Sequence, residues 1–263
     1  MISRCPILEY FLLNYSFGFR CVRISSRSLI NICIGASRLG NEPHLREFII
    51  VDAPCLERLF FLQQHMTVNV SVIAAPKLET LGCLCDESDP FRLVFGTTII
   101  KGLHVVSLKT VVHNVKILAV KSWHTNLDMV IDLMKCFPCL EKLYIKLYIS
   151  GGTNPWRRKY SQFIQCFDIH LKTIVLQHYR GTKAQVNFAS FFLLNARKLE
   201  LMTLGIERRT NNEAFFAEQY QVLQMDKRAS RKARLHFTTD ICPDVKINHV
   251  RDLASTNPFE YRF

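Results

Sequence analysis

The chain contains little glycine and proline, and it has no long apolar run. Its 263 residues include 10 glycines and 9 prolines, fewer than a collagen-like or low-complexity chain would contain. The richest apolar patch, Phe188 to Leu194, is far shorter than the roughly 20 residues that a membrane-spanning helix needs. These absences exclude a fibrous or disordered chain, and we expect a folded protein with no membrane partner.

The sequence also lacks the marks of a secreted protein. Met1 to Arg4 lead directly into the repeat-like Cys5-Pro6-Ile7-Leu8-Glu9, which leaves no room for a charged segment followed by an apolar signal core. The ten cysteines lie within apolar segments rather than in the dense framework of a short chain, so we expect reduced thiols. We therefore predict a cytoplasmic or nuclear protein.

A repeated apolar pattern is the main feature that is present. The motif apolar-x-x-apolar-x-apolar recurs at intervals that mostly fall in or near the range of about 20 to 29 residues typical of leucine-rich repeats. In each match the last two apolar residues lie on one side of a strand, where they face a core that neighbouring repeats must cover. The eight matches begin at Leu8, Leu29, Leu56, Leu78, Val115, Leu140, Leu171 and Leu199.

The segment from Val115 to Ile145 shows the unit most clearly, with a strand at each end and a helical pattern between them. Leu127, Val130, Ile131 and Met134 form the apolar stripe of that helix. A strand that returns to the same face after a helix gives parallel pairing. The sequence therefore predicts an α/β fold, an irregular leucine-rich-repeat solenoid with a parallel sheet on its concave face.

The segments that return from one strand to the next differ along the chain. Phe188, Phe191 and Phe192 predict a second helix, whereas residues 14–27 and 63–71 indicate irregular or β-rich returns, and residues 85–90 form an acidic loop. Thr210 and Glu213 have the spacing of a capping box. They predict a helix whose buried face contains Phe216, Tyr220 and Leu223, ahead of a strand-like Leu235-His236-Phe237.

The formal charge of +12 is concentrated towards the C-terminus, where residues 151–263 hold 18 Lys and Arg against 10 Asp and Glu. A basic run there predicts a solvated helix face, with a nuclear-import or phosphate-binding patch and phosphorylation at Ser230 as the alternatives. The run lacks interleaved aromatic residues, which disfavours binding of single-stranded nucleic acid. Its basic residues are Lys227, Arg228, Arg231, Lys232 and Arg234.

No motif in the sequence predicts catalysis. Cys136 and Cys139 have CxxC spacing but no second pair, so packing is the preferred interpretation over zinc or redox use. The nine histidines include no HExxH motif, and Gly151-Gly152-Thr153 lacks the residues of a phosphate loop. We expect no enzyme activity, no cofactor and no metal.

The best candidate site is the outward face of the predicted strands. Basic and aromatic side chains together are typical of protein contacts, although ordinary solvent exposure remains the alternative. The predicted partner-binding residues are Arg58, Phe60, Lys121, Lys142, Tyr144, Lys146 and Gln177.

Several segments resemble plant F-box proteins that carry leucine-rich repeats and an FBD region. The repeats show Ala53-Pro54-Cys55-Leu56-Glu57, Ala75-Pro76-Lys77-Leu78-Glu79 and Phe137-Pro138-Cys139-Leu140-Glu141. The FBD-like segments are His170–Leu176, Tyr179-Arg180-Gly181, Phe192–Glu200 and Ala229–Ala233. The resemblance implies a repeat region over residues 1–165, an FBD-like cap over 166–240 and a tail over 241–263.

In that family the repeats recruit a substrate, while an F-box ahead of them docks on the adaptor of a cullin ubiquitin ligase. The first repeat of this chain begins at Cys5, so we expect the F-box itself to be absent and the adaptor to be a partner only if an F-box lies upstream. The resemblance implies a protein-protein interaction module similar to the substrate-recognition part of such a ligase subunit. A basic nucleic-acid-binding module is the alternative, and nucleic acid is the less favoured partner.

Overall fold

Short segments with alternating apolar residues form most of the strands in the computed structural model. It describes residues 5–14, 18–35, 45–62, 68–85, 91–123, 126–147 and 169–239. The strands are β1 (Tyr10–Leu13), β2 (Cys21–Ser25), β3 (Asn31–Ile34), β4 (Glu47–Asp52), β5 (Arg58–Phe61), β6 (Asn69–Val72), β7 (Thr80–Cys85), β8 (Arg92–Phe95), β9 (Thr98–Lys101), β10 (His104–Ser107), β11 (Ile117–Ser122), β12 (Lys142–Leu147), β13 (Thr173–Gln177), β14 (Leu201–Gly205) and β15 (Arg234–Thr238).

Nine of these strands form one entirely parallel sheet, which we call the main sheet. Its order is β1-β3-β5-β7-β11-β12-β13-β14-β15. Leu118, Leu143 and Ile174 occupy one register position on neighbouring strands, and all three are buried. The predicted α/β class and parallel sheet are thus confirmed, and each of the eight sequence matches supplies one strand.

The fourth repeat differs from its prediction at one position. The pattern places Leu81 and Cys83 inwards, but the register with β11 shifts after Leu81, so that Leu84 lies opposite Val120. Leu84 is part of the main hydrophobic core, whereas Cys83 is not. The assignment of Cys83 as an inward residue is therefore wrong, because a bulge inserts one extra residue into β7.

A second sheet of six strands has the order β10-β9-β8-β6-β4-β2. Strands β2, β4, β6 and β8 are parallel, and β8, β9 and β10 are joined as antiparallel neighbours. The predicted β-rich returns are confirmed by β2 and β6. The β9–β10 hairpin also explains the longest interval between repeats, because it lies between the matches at Leu78 and Val115.

Helices replace the second sheet in the C-terminal half. They are α1 (Leu127–Cys136), α2 (Lys183–Asn195) and α3 (Glu213–Val222), with short 3-10 turns at Arg208–Thr210 and Met225–Lys227. The predicted helices around Val130 and Phe191 are confirmed. No helix within the described ranges has the length and apolarity needed to cross a membrane.

The helix caps differ from the prediction. The capping box at Thr210 is wrong, because the N-cap of α3 is Asn212, whose side chain accepts a hydrogen bond from the Phe215 N–H. The Thr210 hydroxyl instead donates to the Glu207 carbonyl. A capping box is present at α2, between Thr182 and Gln185. The predicted face of α3 is only partly buried, since Tyr220 is 44% exposed while Leu223 is fully buried.

One hydrophobic core runs between the main sheet and the elements behind it, from Leu13 in β1 to Leu235 in β15. Phe95 of β8 contacts Phe137 after α1, with ring centroids 6.1 Å apart and nearly perpendicular planes, so the core continues where strands give way to helices. The predicted domain boundary near residue 165, the glycine pair at 151–152, most of the acidic loop and the tail from 241 lie outside the described residues.

Candidate protein-interaction surface

The side of the main sheet that faces away from the core carries every second residue of its strands, and we call it the outer face. Its positions fall into three register rows that run across the sheet. One row includes Lys142 and its partner Thr173, the next Tyr144 and Val175, and the third Lys146 and Gln177. Because each row crosses several strands, residues far apart in sequence lie side by side.

The charges of the nine strands are all of one sign. The strands contain five Lys and Arg residues and no Asp or Glu. All five occupy outer-face positions by register, because their strand neighbours are the inward apolar residues. The five are Arg58, Lys121, Lys142, Lys146 and Arg234.

The predicted partner-binding residues all lie on this face but differ in exposure. Lys142 is exposed, and Arg58, Tyr144 and Lys146 are half-buried. Phe60, Lys121 and Gln177 are only 4%, 7% and 8% exposed, because neighbouring strands about 4.8 Å away shield the inner parts of a sheet face. The structure therefore brings the seven residues onto one face but leaves only four of them accessible to a partner without rearrangement.

An apolar cluster occupies the N-terminal part of the outer face, where sequence reasoning found only Phe60. It has its own buried centre of Cys33 and Phe60, separate from the main core, with Tyr10, Leu12 and Leu62 packed around it. Burial, and then the nearby Cys83 thiol, raise the pKa of the Cys33 thiol, so Cys33 stays protonated and unreactive. The continuous apolar runs of β1 and β3 are the sequence signal that could have indicated this cluster.

The residues immediately before the strands form a second charged feature, which we call the pre-strand row. Each backbone carbonyl in this row accepts hydrogen bonds from two successive N–H groups of the next repeat, as Glu79 does from Lys116 and Ile117. Its charges mostly alternate in sign from Glu79 onward. The charged members that follow the first apolar residue of each repeat are Glu9, Glu57, Glu79, Lys116, Glu141, Lys172 and Glu200.

Two ion pairs join neighbours in the pre-strand row. The Lys116 ammonium lies 2.6 Å from a Glu79 carboxylate oxygen, and the Lys172 ammonium lies 2.8 Å from Glu141. The hydrogen bond from Lys172 lowers the pKa of Glu141 and the same bond raises the pKa of Lys172. These pairs were missed from sequence because their partners are 37 and 31 residues apart.

The C-terminal basic run is a turn and not the helix face that the sequence predicted. Lys227 ends a 3-10 turn, and Arg234 is the first residue of β15. Between them, Arg231 and Lys232 are exposed, while the Arg228 guanidinium donates to the carbonyls of Met225 and Arg231. Ser230, the suggested phosphorylation site, is 7% exposed.

The cysteines and histidines do not converge on a metal site in the part of the chain that the structure describes, where no three His, Cys, Asp or Glu side chains are grouped as ligands. Cys136 is fully buried at the end of α1. Burial raises the pKa of its thiol to about 12, which keeps it protonated at neutral pH. Cys139 lies in the following turn and is half-buried.

Comparison with known proteins identifies two regions of the chain. Residues 1–145 match the sequence profile described as FBD-associated F-box protein At5g56370, LRR repeats. Residues 159–204 match the profile of the FBD region. No curated protein and no solved structure matches the chain. Because the repeat profile covers more than half of its residues, the chain belongs to the family of FBD-associated F-box proteins with leucine-rich repeats.

Proposed function

We propose that this chain recognises a protein partner through the outer face of the main sheet, as the substrate-recognition part of an F-box ubiquitin-ligase subunit does. The observation that carries this proposal is the outer face itself, a surface of nine parallel strands with five basic residues and no acidic one in its strands. Leucine-rich repeats and an FBD region support a role in protein interaction. The proposal does not assign any catalytic activity to the chain.

The arrangement of the outer face supports binding of a macromolecule rather than a small ligand. Its exposed and half-buried groups, among them Arg58, Lys142 and Tyr144, are spread over several strands instead of converging on a cleft. Aromatic and arginine side chains are enriched at protein interfaces. Stacked repeats also tend to curve, and we propose that the repeats form a solenoid with the outer face on its concave side.

The proposal also covers the ligase adaptor and the cellular compartment in which the interaction takes place. An adaptor of a cullin ligase would join the assembly through an F-box and not through the outer face. We place the interaction in the cytoplasm or the nucleus, which agrees with the eight cysteines of the described residues, none of which forms a disulfide there.

The rival function is nucleic-acid binding by the basic C-terminal run. The geometry favours it less, because the run is a short turn and its Arg228 is engaged with two backbone carbonyls. If nucleic acid were the partner, affinity would fall steeply with salt and would depend on Lys227, Arg228, Arg231 and Lys232. It would not depend on Lys142 or Tyr144.

A capture experiment with matched variants tests the proposed surface. The tagged full chain is compared with Lys142→Glu combined with Tyr144→Ala on the outer face. The control is Arg23→Glu combined with Ile49→Ala, at paired positions of the second sheet. We expect proteins that the wild type and the control capture equally and the outer-face variant captures at least about fivefold less. Equal capture by all three chains would contradict the proposal.

A further inference from the structure

A β-turn precedes most strands of the main sheet and has the same hydrogen bond each time. The N–H of its fourth residue donates to the carbonyl of its first, as in Leu56 to Ala53, Leu78 to Ala75 and Leu140 to Phe137. The two central residues of each turn project beyond the start of the strand. The side chains of these two residues therefore determine which chemical groups are exposed at the edge of each repeat.

In the last two turns both central residues are basic. Leu199 closes one turn on Ala196, and Ala233 closes the next on Ser230. We call these two turns the paired basic turns. Their central residues are Arg197 and Lys198 in the first turn and Arg231 and Lys232 in the second. All four are exposed. Sequence analysis singled out the second pair but not the first, because the two lie more than thirty residues apart.

The fold places these two turns side by side. Strands β14 and β15 are parallel neighbours that start in register, with Leu201 beside Arg234. Neighbouring strands are about 4.8 Å apart, which is less than the Debye length of about 8 Å at physiological ionic strength. The four cations therefore act on an approaching anion as one multivalent group. Arg234, exposed on the outer face, extends the same sign of charge from the turns onto the sheet.

The second turn is held rigidly. The Arg228 guanidinium donates to the Arg231 carbonyl at 3.2 Å and to the Met225 carbonyl at 2.7 Å. The Ala229 N–H donates to the carbonyl of Leu193 in α2 at 2.8 Å. These bonds fix the backbone from which Arg231 and Lys232 project, and a preorganised group loses less entropy when it binds.

Acidic residues border the paired basic turns and limit the kind of anion that fits. Glu200 directly follows the first turn and is exposed, and Glu141 lies two repeats away in the pre-strand row. A nucleic-acid backbone carries a charge about every 3.4 Å along each strand, so it would be repelled at Glu200, whereas Glu141 is already paired with Lys172. A protein segment can place neutral residues opposite Glu200, which a uniformly charged nucleic-acid backbone cannot do. The guanidinium group of arginine also forms two parallel hydrogen bonds with a carboxylate.

We propose that the paired basic turns bind a short segment rich in Asp and Glu on the protein that the outer face recognises. The inference rests on the proposed function, because it names the chemistry of one part of the same partner. It also identifies Arg197 and Lys198, which sequence reasoning did not select, as members of the binding surface.

A binding assay with defined peptides tests this inference on the full chain. The probe is a fluorescent decapeptide that alternates Glu and Ser, compared with a decapeptide that alternates Lys and Ser and with a ten-nucleotide oligothymidine. The test variant changes Arg197, Lys198, Arg231 and Lys232 to Glu. The matched control has the same change in net charge at four exposed basic residues elsewhere, Arg23, Arg46, Lys101 and Lys109. A third variant with Gln at the four turn positions removes charge without adding repulsion, and thermal unfolding shows that each variant is folded.

We expect the glutamate peptide to bind the wild type in a salt-sensitive manner. Binding should weaken about tenfold or more in the Glu variant, less in the Gln variant, and less than about twofold in the control. Equal weakening in the control, no binding by the wild type, or tighter binding of oligothymidine would each overturn the inference.

Capture of partner proteins separates this inference from the proposed function. If the outer-face variant loses its partners while the Glu variant of the turns retains them fully, the proposed function stands and the inference is wrong. If no partner depends on the outer face but the glutamate peptide still binds the paired basic turns, the proposed function is wrong and the anion site stands.

Discussion

At the scale of single residues, Gly82 shows why one position in a repeat cannot take a side chain. A Cβ added there would lie 2.6 Å from the Cβ of Ala119 on the neighbouring strand, which is closer than two carbon atoms can pack. The bulge in β7 brings the two backbones together at this point. The absence of a side chain is therefore a packing requirement and not a source of flexibility.

Replacing Gly82 with Ala should destabilise the protein by roughly 1–3 kcal/mol, the usual cost of overpacking. Urea unfolding measures the change. The matched test is Ala119→Gly in the same chain, which removes the atom that clashes. We expect the double variant to lose less stability than the sum of the two single variants. Additive losses would mean that the contact does not limit this position.

Tyr179 illustrates a buried polar group that is fully paired. It is completely buried, and its hydroxyl donates to the Gln219 amide oxygen at 2.6 Å. Burial raises the pKa of Tyr179, so the hydroxyl keeps the proton that it donates. This bond links the turn after β13 to α3, two segments that are 40 residues apart.

The variant Tyr179→Phe should cost about 1–3 kcal/mol of unfolding free energy, because the buried Gln219 oxygen loses its donor. Tyr220→Phe is the matched control, since Tyr220 is 44% exposed and its hydroxyl lies 3.4 Å from the Leu235 carbonyl. Chemical denaturation should show a much smaller effect for the control. Similar losses in both variants would contradict the role assigned to the Tyr179 bond.

At the scale of elements, the sequence predicted eight of the nine strands of the main sheet because one strong signal, inward apolar residues at regular spacing, repeats eight times, while β15 followed from the strand-like Leu235-His236-Phe237. The helices α1 and α2 followed from their apolar stripes. The second sheet was only partly foreseen, since β6, β8, β9 and β10 are only four residues long and β4 carries a charged residue at each end. The start of α3 was misplaced by two residues because Thr210 and Asn212 are both good caps, and only tertiary contacts select between them.

The candidate surface was also predicted only in part from the sequence. Alternation along one strand indicates which residues point outwards, so the seven residues predicted to bind a partner were correctly placed on the outer face. Their exposure depends on neighbouring strands, which is why Phe60 and Lys121 proved to be nearly buried. The ion pairs of the pre-strand row and the meeting of the paired basic turns depend on register across repeats. A single strand's pattern contains no information on that register.

The ion pair between Glu141 and Lys172 in the pre-strand row should make the stability of the protein depend on pH. The pKa of Glu141 is lowered in the folded state, so its contribution to stability is present above the unfolded pKa of about 4.3 and is lost as the pH falls through the folded value. Glu141→Gln should lower the Tm slightly at pH 7, by about 2 °C or less, because the pair is partly exposed and screened by water.

Thermal melts at pH 7 and pH 3 measure the effect of Glu141→Gln. The difference from wild type should be smaller at pH 3 than at pH 7 and should shrink when salt is added. Glu47→Gln, at an exposed position of β4, is the control and should change little at either pH. A loss of stability at pH 3 as large as at pH 7 would show that the ion pair is not its cause.

At the scale of the whole molecule, the repeat region and the FBD-matching region share one sheet and one core. Strands β12 and β13 pair in register on either side of residues 148–168, and the core includes residues from both regions. We therefore expect the two regions to depend on each other for stability, although their profiles match the sequence separately.

Leu143→Ala tests this dependence. Leu143 is fully buried at the centre of β12, and its truncation should cost about 2–5 kcal/mol. Hydrogen exchange should then become faster in both β7 and β14, which lie two strands away on opposite sides. Lys142→Ala, at the adjacent exposed position, is the control. Faster exchange confined to β12 and its immediate neighbours would mean that the repeats open one by one.

The change from strands to helices behind the main sheet has a geometric consequence. In the N-terminal half both layers consist of strands with the same spacing of about 4.8 Å, so we expect front and back to have equal widths and the stack to be nearly straight. A helix is about 10 Å across, so we expect α1, α2 and α3 to widen the back of the C-terminal half and to bend the strands in front of them towards one another. Bending of the molecule should therefore be concentrated after Phe137, close to Lys142, Tyr144 and the paired basic turns.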